Sequence, residues 1–338
     1  MNLVYVYLGK SIPKYVLCNV FSSASQFPER NFYLVTSPKT HYARINLPNV
    51  FSLHYSSGLY DLSVSNVEIK HNVNFRNGFW VKTLERFFAL QAFSNFLNAP
   101  FIHIECDVIL FDNFPFENFY ELDGETAFPV LAKDLGIASV LWFMDGFALL
   151  NFLRFIEGFA FPVNDMEILG AYLSEHPSRV SVLPTANVEM VFDIYDAFAR
   201  EVLQKNYPIF NGYFDGATLG QYVYGLDGRN SFGLRKIGFN HKNHPINPDK
   251  FNISFRNRNL FLSQEKQSAI FNLHIHSKDK KAFDYEKRNS YLAKVTKSGK
   301  IKSHTVFSFG DAWFHVSDIF VRVLRKISAK MIRLRLRG

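Results

Sequence analysis

The chain has 338 residues, 48% of them hydrophobic, with 37 phenylalanines and a formal charge of +8. That is enough apolar material for one large domain or two intimate ones, and it excludes a disordered chain. Two cysteines, Cys18 and Cys106, make no disulfide framework or Cys/His zinc cluster and favour a reducing compartment.

Residues Met1 to Leu8 lack a basic leader and read as a first strand, ended by Gly9. Helical spacing follows over Ile12–Phe21, and Asn31–Thr36 predicts a second strand, so the chain opens as a βαβ unit. Trp80–Leu97 carries Leu84, Phe87, Phe88, Leu90, Ala92 and Phe93 at helical spacing, with Asn98-Ala99-Pro100 as its stop. Phe101–Phe111 reads as a strand with an acidic interruption. Phe128–Leu131, Ser139–Met144 and Val180–Leu183 predict further strands; Gly146–Glu157, Asp165–Ser174 and Asp193–Gln204 predict helices. After a loop-rich stretch, Gly225–Asp249, strands are expected at Phe251–Phe255 and Ile270–Ile275, then a polar, mobile segment over 277–304. No repeat is visible, and charge interrupts every apolar run before a membrane-spanning length of about 18 residues.

Within the strand-like run Ile104-Glu105-Cys106-Asp107-Val108, two carboxylates sit among apolar residues. Buried charges must be paired or bind metal. Residues two apart on an extended chain share a side, so Glu105 and Asp107 can face one hard cation such as Mg2+ or Mn2+. The plain alternative is a strand that ends at Ile104 with both acids exposed in a turn. Far along the chain, Phe271-Asn272-Leu273-His274-Ile275-His276-Ser277-Lys278 alternates histidines with apolar residues. On a strand His274 and His276 share one face, and either imidazole suits such a cation. The alternative is a polar edge strand.

The passage from Phe79-Trp80-Val81-Lys82-Thr83-Leu84-Glu85-Arg86-Phe87 to Ile104-Glu105-Cys106-Asp107-Val108 resembles the helix-to-DxD passage of the GT-A glycosyltransferases, remotely those of the glycogenin and galactosyltransferase-like group. Glu105 stands where that motif has its first aspartate. The resemblance implies an α/β fold with a Rossmann-like nucleotide-sugar-binding sheet of mixed strands, divalent Mn2+ or Mg2+ as cofactor, and hexosyl transfer from a nucleotide-sugar donor to an acceptor hydroxyl. It further implies that Arg86 contacts the donor phosphates, although a surface ion pair is an equal reading. His274 or His276 supplies a further metal ligand, and Lys278 meets the diphosphate. Phe143-Met144-Asp145-Gly146 and Asn164-Asp165-Met166 stand where similar enzymes touch sugar, which makes Asp145 and Asp165 candidates for sugar contact or for the catalytic base; either can instead cap its helix. In Phe214-Asp215-Gly216-Ala217-Thr218-Leu219-Gly220-Gln221, Asp215 and Gln221 face donor or acceptor, and Asp215 is a third candidate for the catalytic base, unless the segment is a turn into an ordinary helix. Stereochemistry stays open. The rival classes are a metal-dependent phosphoesterase or nucleotidyltransferase, and an inactive glycan-binding protein of the same fold.

The segment from Asp318 to Arg337 holds seven basic residues and one acid, and so +6 of the +8. Ile319, Phe320, Val323, Leu324, Ile327, Met331 and Leu334 recur there at helical spacing. This predicts a C-terminal basic amphipathic helix on an anionic membrane surface, the alternatives being a helix packed on the catalytic domain or a nucleic-acid tail, for which the body shows no basic and aromatic footprint. The expected organisation is a transferase domain over 1–280, a polar variable segment over 281–310 and the tail over 311–338. The expected setting is the cytoplasm or the inner membrane face, with a glycan or lipid-linked acceptor in bacterial cell-surface synthesis.

Overall fold

A computed structural model describes residues 1–40, 45–55, 79–132, 134–158, 164–191, 199–227, 246–247, 250–263 and 267–297. Contacts divide the chain into Met1–Ile301 and Lys302–Gly338. The basic tail, most of the loop-rich stretch, and the first part of the helix expected at Asp193–Gln204 lie outside the described residues.

The chain opens with β1 (Asn2–Tyr7), α1 (Lys14–Gln26), β2 (Asn31–Thr36) and β3 (Val50–His54). Pro13 fixes the residue before α1 in an extended conformation, so that helix begins at Lys14 rather than Ile12. The expected helix from Trp80 divides into α2 (Phe79–Ala89) and α3 (Gln91–Phe96), with Leu90 between them. Beyond come β4 (Phe101–Ile104), β5 (Val108–Leu110), β6 (Thr126–Ala132), β7 (Leu135–Gly136), β8 (Val140–Phe143), α4 (Gly146–Glu157), α5 (Asp165–Glu175) and β9 (Val180–Leu183).

The main sheet has the order β3-β2-β1-β4-β8-β6-β7, with β9 beside β6. Strands β3, β2, β1 and β4 are parallel; β8 runs antiparallel to β4 and to β6. This is the α/β architecture with a mixed central sheet that the sequence predicts. Residues Leu3–Val6 are buried on both faces, as expected of a strand under two helical layers. Leu3, Tyr5, Phe32 and Ile102 pack against Val16, Val20 and Ala24 of α1. Val4, Val35 and Phe101 pack on the other face with Leu84, Phe87, Phe93 and Phe152 of α2, α3 and α4. The order reverses at β1, whose neighbours β2 and β4 both run parallel to it. In such sheets ligands bind outside the carboxyl ends of the strands at that switch point.

The second half adds one turn of π-helix (Ala199–Leu203) within the described part of the expected helical segment, α6 (Tyr207–Phe210), β10 (Gly212–Tyr213), α7 (Leu219–Tyr224), β11 (Asn252–Arg256), β12 (Asn259–Ser263), β13 (Gln267–Ile270) and β14 (Asn272–His274). The hairpin β11–β12 turns on Asn257 and Arg258, both at positive φ (49° and 63°), as a two-residue hairpin loop requires. Strands β10-β13-β12-β11 form a small sheet, while β14 pairs antiparallel with β5 as a separate ribbon. The strand expected over Ile270–Ile275 thus splits at Phe271 between two sheets.

The polar stretch expected to be mobile contains α8 (Lys280–Phe283) and α9 (Tyr285–Val295). They are held by buried Phe283 and Leu292, by Ser22 donating to the Phe283 carbonyl (2.8 Å), and by buried Arg288 donating to Gln26 (3.0 Å). A few anchors are enough to dock a mostly polar helix whose mean hydropathy gives no warning of it. Among the described residues, no helix is long and apolar enough to cross a membrane.

Candidate metal centre

Strand β4 ends at Ile104, and Glu105-Cys106-Asp107 form a tight turn closed by the Val108 amide donating to the Glu105 carbonyl (2.9 Å). The acids therefore meet through a turn, not through the alternation of an extended strand. They are nonetheless not exposed: their side chains retain 14% and 17% of their accessible surface. The turn is pinned on three sides. Asn19 of α1 donates to the carbonyls of Cys106 (3.2 Å) and Val108 (2.7 Å). The Cys106 thiol donates to the Val6 carbonyl of β1 (3.2 Å), which sets the turn at the carboxyl ends of β1 and β4. The Ile275 amide donates to the Asp107 carbonyl (2.7 Å).

The β5–β14 ribbon then brings the late histidine to the early acids, with His274 in register with Val108. His274 Nε2 lies 3.4 Å from Glu105 Oε2 and 3.4 Å from Asp107 Oδ1. One ligand atom from each of the three residues falls within 4.8 Å of the others. His276 is outside this cluster. The strand stops at His274, so the two imidazoles do not alternate along it; their rings instead pack at 4.3 Å. His274 Nδ1 faces the Gly216 carbonyl at 2.6 Å, and a carbonyl only accepts. Nδ1 therefore carries a proton, and Nε2 is the nitrogen turned toward the carboxylates.

These three residues fit a hard divalent cation. Two carboxylate oxygens and an imidazole nitrogen are a fitting donor set, and Glu105 Oε2 is buried without a hydrogen bond. Adjacent ligands of an octahedral ion with bonds of about 2.1 Å stand about 3.0 Å apart, so separations of 3.4 Å need only a small contraction.

Two cations flank the cluster. Lys278 Nζ donates to Asp107 Oδ2 at 2.9 Å from a part-exposed side chain. Arg86 of α2, 11% exposed, donates through Nη1 to Glu105 and through Nη2 to Asp165 Oδ2 (2.5 Å). Both ends of its guanidinium are thus engaged with carboxylates, in buried ion pairs rather than a surface one. Arg86 holds Glu105 and Asp165 in place.

Burial pushes the Glu105 carboxyl up, but Arg86 and then His274 outweigh it and hold the group below its usual range. For Asp107, burial is likewise outweighed, by Lys278 and then His274, and the carboxyl falls well below its usual range. Burial lowers His274, yet Asp107 and Glu105 prevail and raise it to about 9. For Asp165 burial wins over the pull of Arg86, and its pKa rises.

The three carboxylates considered as a base separate clearly. Asp145 caps α4 by accepting from the Ala148 amide (2.8 Å). It follows Phe143, which pairs with Phe101 at the opposite end of β4 from the acids, about 13 Å away at about 3.3 Å per residue. Because β8 is antiparallel to β4, Asp145 is carried to the edge of the sheet opposite the acids. Asp215, 1% exposed, accepts from four backbone amides, those of Thr218 (2.8 Å), Leu219 (2.9 Å), Gly220 (2.7 Å) and His274 (2.9 Å). Both oxygens are so engaged, and burial raises its pKa despite these bonds. Asp165 stands at the cluster; the cap of its helix is Asn164, in a capping box with Glu167. Gln221 lies on α7 and is buried, with Oε1 unpaired among the described residues.

Sequence reasoning passes over Asn19, Asn272 and the Gly216 carbonyl. The first two carry a readable signal, since each is an amide inside an apolar run whose burial demands partners.

No protein-family model and no curated protein matches the chain. Among solved structures, it is similar to the galactosyltransferase LgtC in complex with donor and acceptor sugar analogues, at 12% identity and a TM-score of 0.38, covering 62% of this chain and 82% of that one. It is also similar to mouse xyloside xylosyltransferase 1 in its apo form, at 10% identity and a TM-score of 0.35, covering 60% of this chain and 93% of that one. A third is PaToxG glycosyltransferase, at 12% identity and a TM-score of 0.31, covering 52% and 68%.

Proposed function

We propose that this protein is a metal-dependent glycosyltransferase that moves a sugar from a nucleoside-diphosphate sugar to an acceptor hydroxyl. The observation that carries this reading is the convergence of Glu105, Asp107 and His274 at the switch point of the sheet, beside part-exposed Lys278. Three carboxylates (Glu105, Asp107, Asp165) face two cations (Arg86, Lys278). With His274 protonated these charges cancel, and the metal-free cluster offers a diphosphate no net attraction. A divalent cation that displaces the His274 proton leaves one net positive charge.

Glu105, Asp107 and His274 would hold that cation, Mn2+ or Mg2+. When bound, it supplies Lewis-acid stabilisation of the charge that gathers on a departing diphosphate. Lys278 donates to the same phosphates from the solvent side. Arg86 keeps Glu105 ionised and aimed. Asp165 meets the sugar or acceptor hydroxyls. The experiment is release of nucleoside diphosphate, with sugar transfer, from a panel of nucleotide sugars in Mn2+, Mg2+ or EDTA. Metal-dependent turnover with a donor preference is expected. Hydrolysis of phosphoesters without sugar preference would assign the site to phosphoester chemistry instead, and binding without turnover would mark an inactive relative.

Metal affinity is expected to rise with pH. In the metal-free protein His274, raised to about 9, keeps its proton at neutrality. A cation must displace one proton, so the apparent Mn2+ dissociation constant should fall about tenfold per pH unit between roughly pH 6.5 and 8.5. Titration calorimetry in two buffers of different ionisation enthalpy reads that proton; release of none would contradict the assignment. The sign for stability follows from the same shift. A raised pKa in the folded state stabilises fully below about 6.5, and that contribution is lost as pH climbs through about 9. Added Mn2+ restores it there by mass action.

For the acceptor we propose a glycan or lipid-linked glycan in bacterial cell-surface synthesis, supported by the basic amphipathic sequence over 318–337. Co-sedimentation with anionic and with neutral vesicles, with and without residues 311–338, tests this. Equal pelleting of the two chains would remove its support.

A further inference from the structure

Asp215 does more than cap a helix. Three of its four backbone donors, the amides of Thr218, Leu219 and Gly220, belong to the N-cap and first turn of α7. The fourth is the amide of His274, 59 residues away on β14. The next carbonyl, that of Gly216, receives His274 Nδ1. The Asp215-Gly216 pair therefore sets both the backbone position and the tautomer of that histidine.

Asp215 is itself fixed through its own peptide groups. Its amide donates to Asn272 Oδ1 (3.1 Å), and its carbonyl accepts from Asn272 Nδ2 (2.9 Å) and Ser139 Oγ (3.2 Å). The carbonyl of Ser139 in turn accepts from the amide of Glu105 (3.2 Å). There is no slack between α7 and β14, because a Cβ on Gly220 would lie 2.0 Å from the His274 carbonyl oxygen. Only glycine permits that approach.

We infer that Asp215 is a positioning residue for the cation, acting through His274, with its carboxylate locking the imidazole over Glu105 and Asp107. This rests on the metal site of the proposed function. An isolated cap would hold α7 and leave the ligand untouched. Here the cap and the ligand share one carboxylate.

The test is a double-mutant cycle read by Mn2+ binding, with free Mn2+ followed by electron paramagnetic resonance. Asp215→Asn keeps the shape but turns one acceptor into an NH2 group that faces backbone donors. It is expected to weaken Mn2+ binding 10- to 100-fold, the range typical for a ligand's outer partner. In a His274→Ala background the same change should weaken it less than about twofold, because the route of action is gone. Mg2+, which relies less on imidazole than Mn2+ does, should lose less affinity than Mn2+ in Asp215→Asn. Equal losses in both backgrounds, or for both metals, would overturn the assignment and leave Asp215 a fold residue. Should Asp215→Asn fail to fold, Asn272→Ala, which loosens only the Asp215 peptide, enters the same cycle with the same criteria. Absence of Mn2+ binding in the unsubstituted protein would sink the proposed function together with this inference. Binding that is indifferent to Asp215 sinks the inference alone.

Discussion

Arg86→Ala is expected to destabilise the metal-free protein by about 3–5 kcal/mol, the cost of removing one partner from a buried ionic network. The guanidinium is 11% exposed, and it faces Glu105 and Asp165, which are 14% and 10% exposed. Without it two carboxylates remain in a poorly solvated space beside Asp107. Burial alone lowers the pKa of Arg86, but Glu105 and Asp165 outweigh it and keep the group charged. Chemical denaturation in EDTA measures the loss. Neutralising the partners as well, in Arg86→Met with Glu105→Gln and Asp165→Asn, should recover a large part of it, because the penalty lies in the orphaned charges. A full loss in this triple variant would point to packing on Phe87, whose ring lies 5.2 Å from the guanidinium carbon.

Asp107→Ala is expected to have the opposite profile. It removes one proposed ligand and breaks the ion pair with Lys278. Lewis-acid stabilisation of several kcal/mol converts to roughly a 10^3-fold fall in kcat/KM, at about 1.4 kcal/mol per tenfold. Mn2+ binding should weaken in parallel. The melting temperature of the metal-free protein should change far less than for Arg86→Ala. Lys278 is 29% exposed and can return to water, and Glu105 loses a like-charged neighbour. A variant that keeps its kcat/KM would end the role given to Asp107, and with it the centre built on this turn.

The contrast between these two residues tracks what was legible in the sequence. The strands β1, β2, β4 and β9 announce themselves because both faces are apolar, and α4 and α5 because apolar spacing meets a capping residue. The acids at 105 and 107 stood out as charges inside an apolar run. Their partner at 274 stood out for the same reason. What stayed hidden depends on chain direction and on hydrogen bonds made at long range. Nothing local tells that β8 runs antiparallel to β4, and that reversal separates Asp145 from the site. Nothing in Asp215-Gly216 distinguishes a ligand contact from a carboxylate spent on four amides; only the fold supplies His274 as the fourth donor. Arg86 reads equally well as a phosphate contact or as an ion pair, and nothing local tells that two carboxylates from different elements reach it. The docked α9 escaped notice because its exposed face dominates its composition, while Leu292 and Arg288 carry the attachment.

The ribbon of β5 and β14 has a consequence for the life of the chain. It joins residues 108–110 to residues 272–274, and so carries His274 to the acidic turn that precedes residue 108. During synthesis the acidic turn leaves the ribosome more than 160 residues ahead of the imidazole. Until that late strand zips on, Asp107 lacks Lys278 and His274, the groups that hold its carboxyl low. Cation capture is therefore expected to arrive last in maturation, as a signal that the far end of the domain has closed. A refolding time course should show Mn2+ uptake lagging the burial of Trp142, which sits at the centre of the sheet.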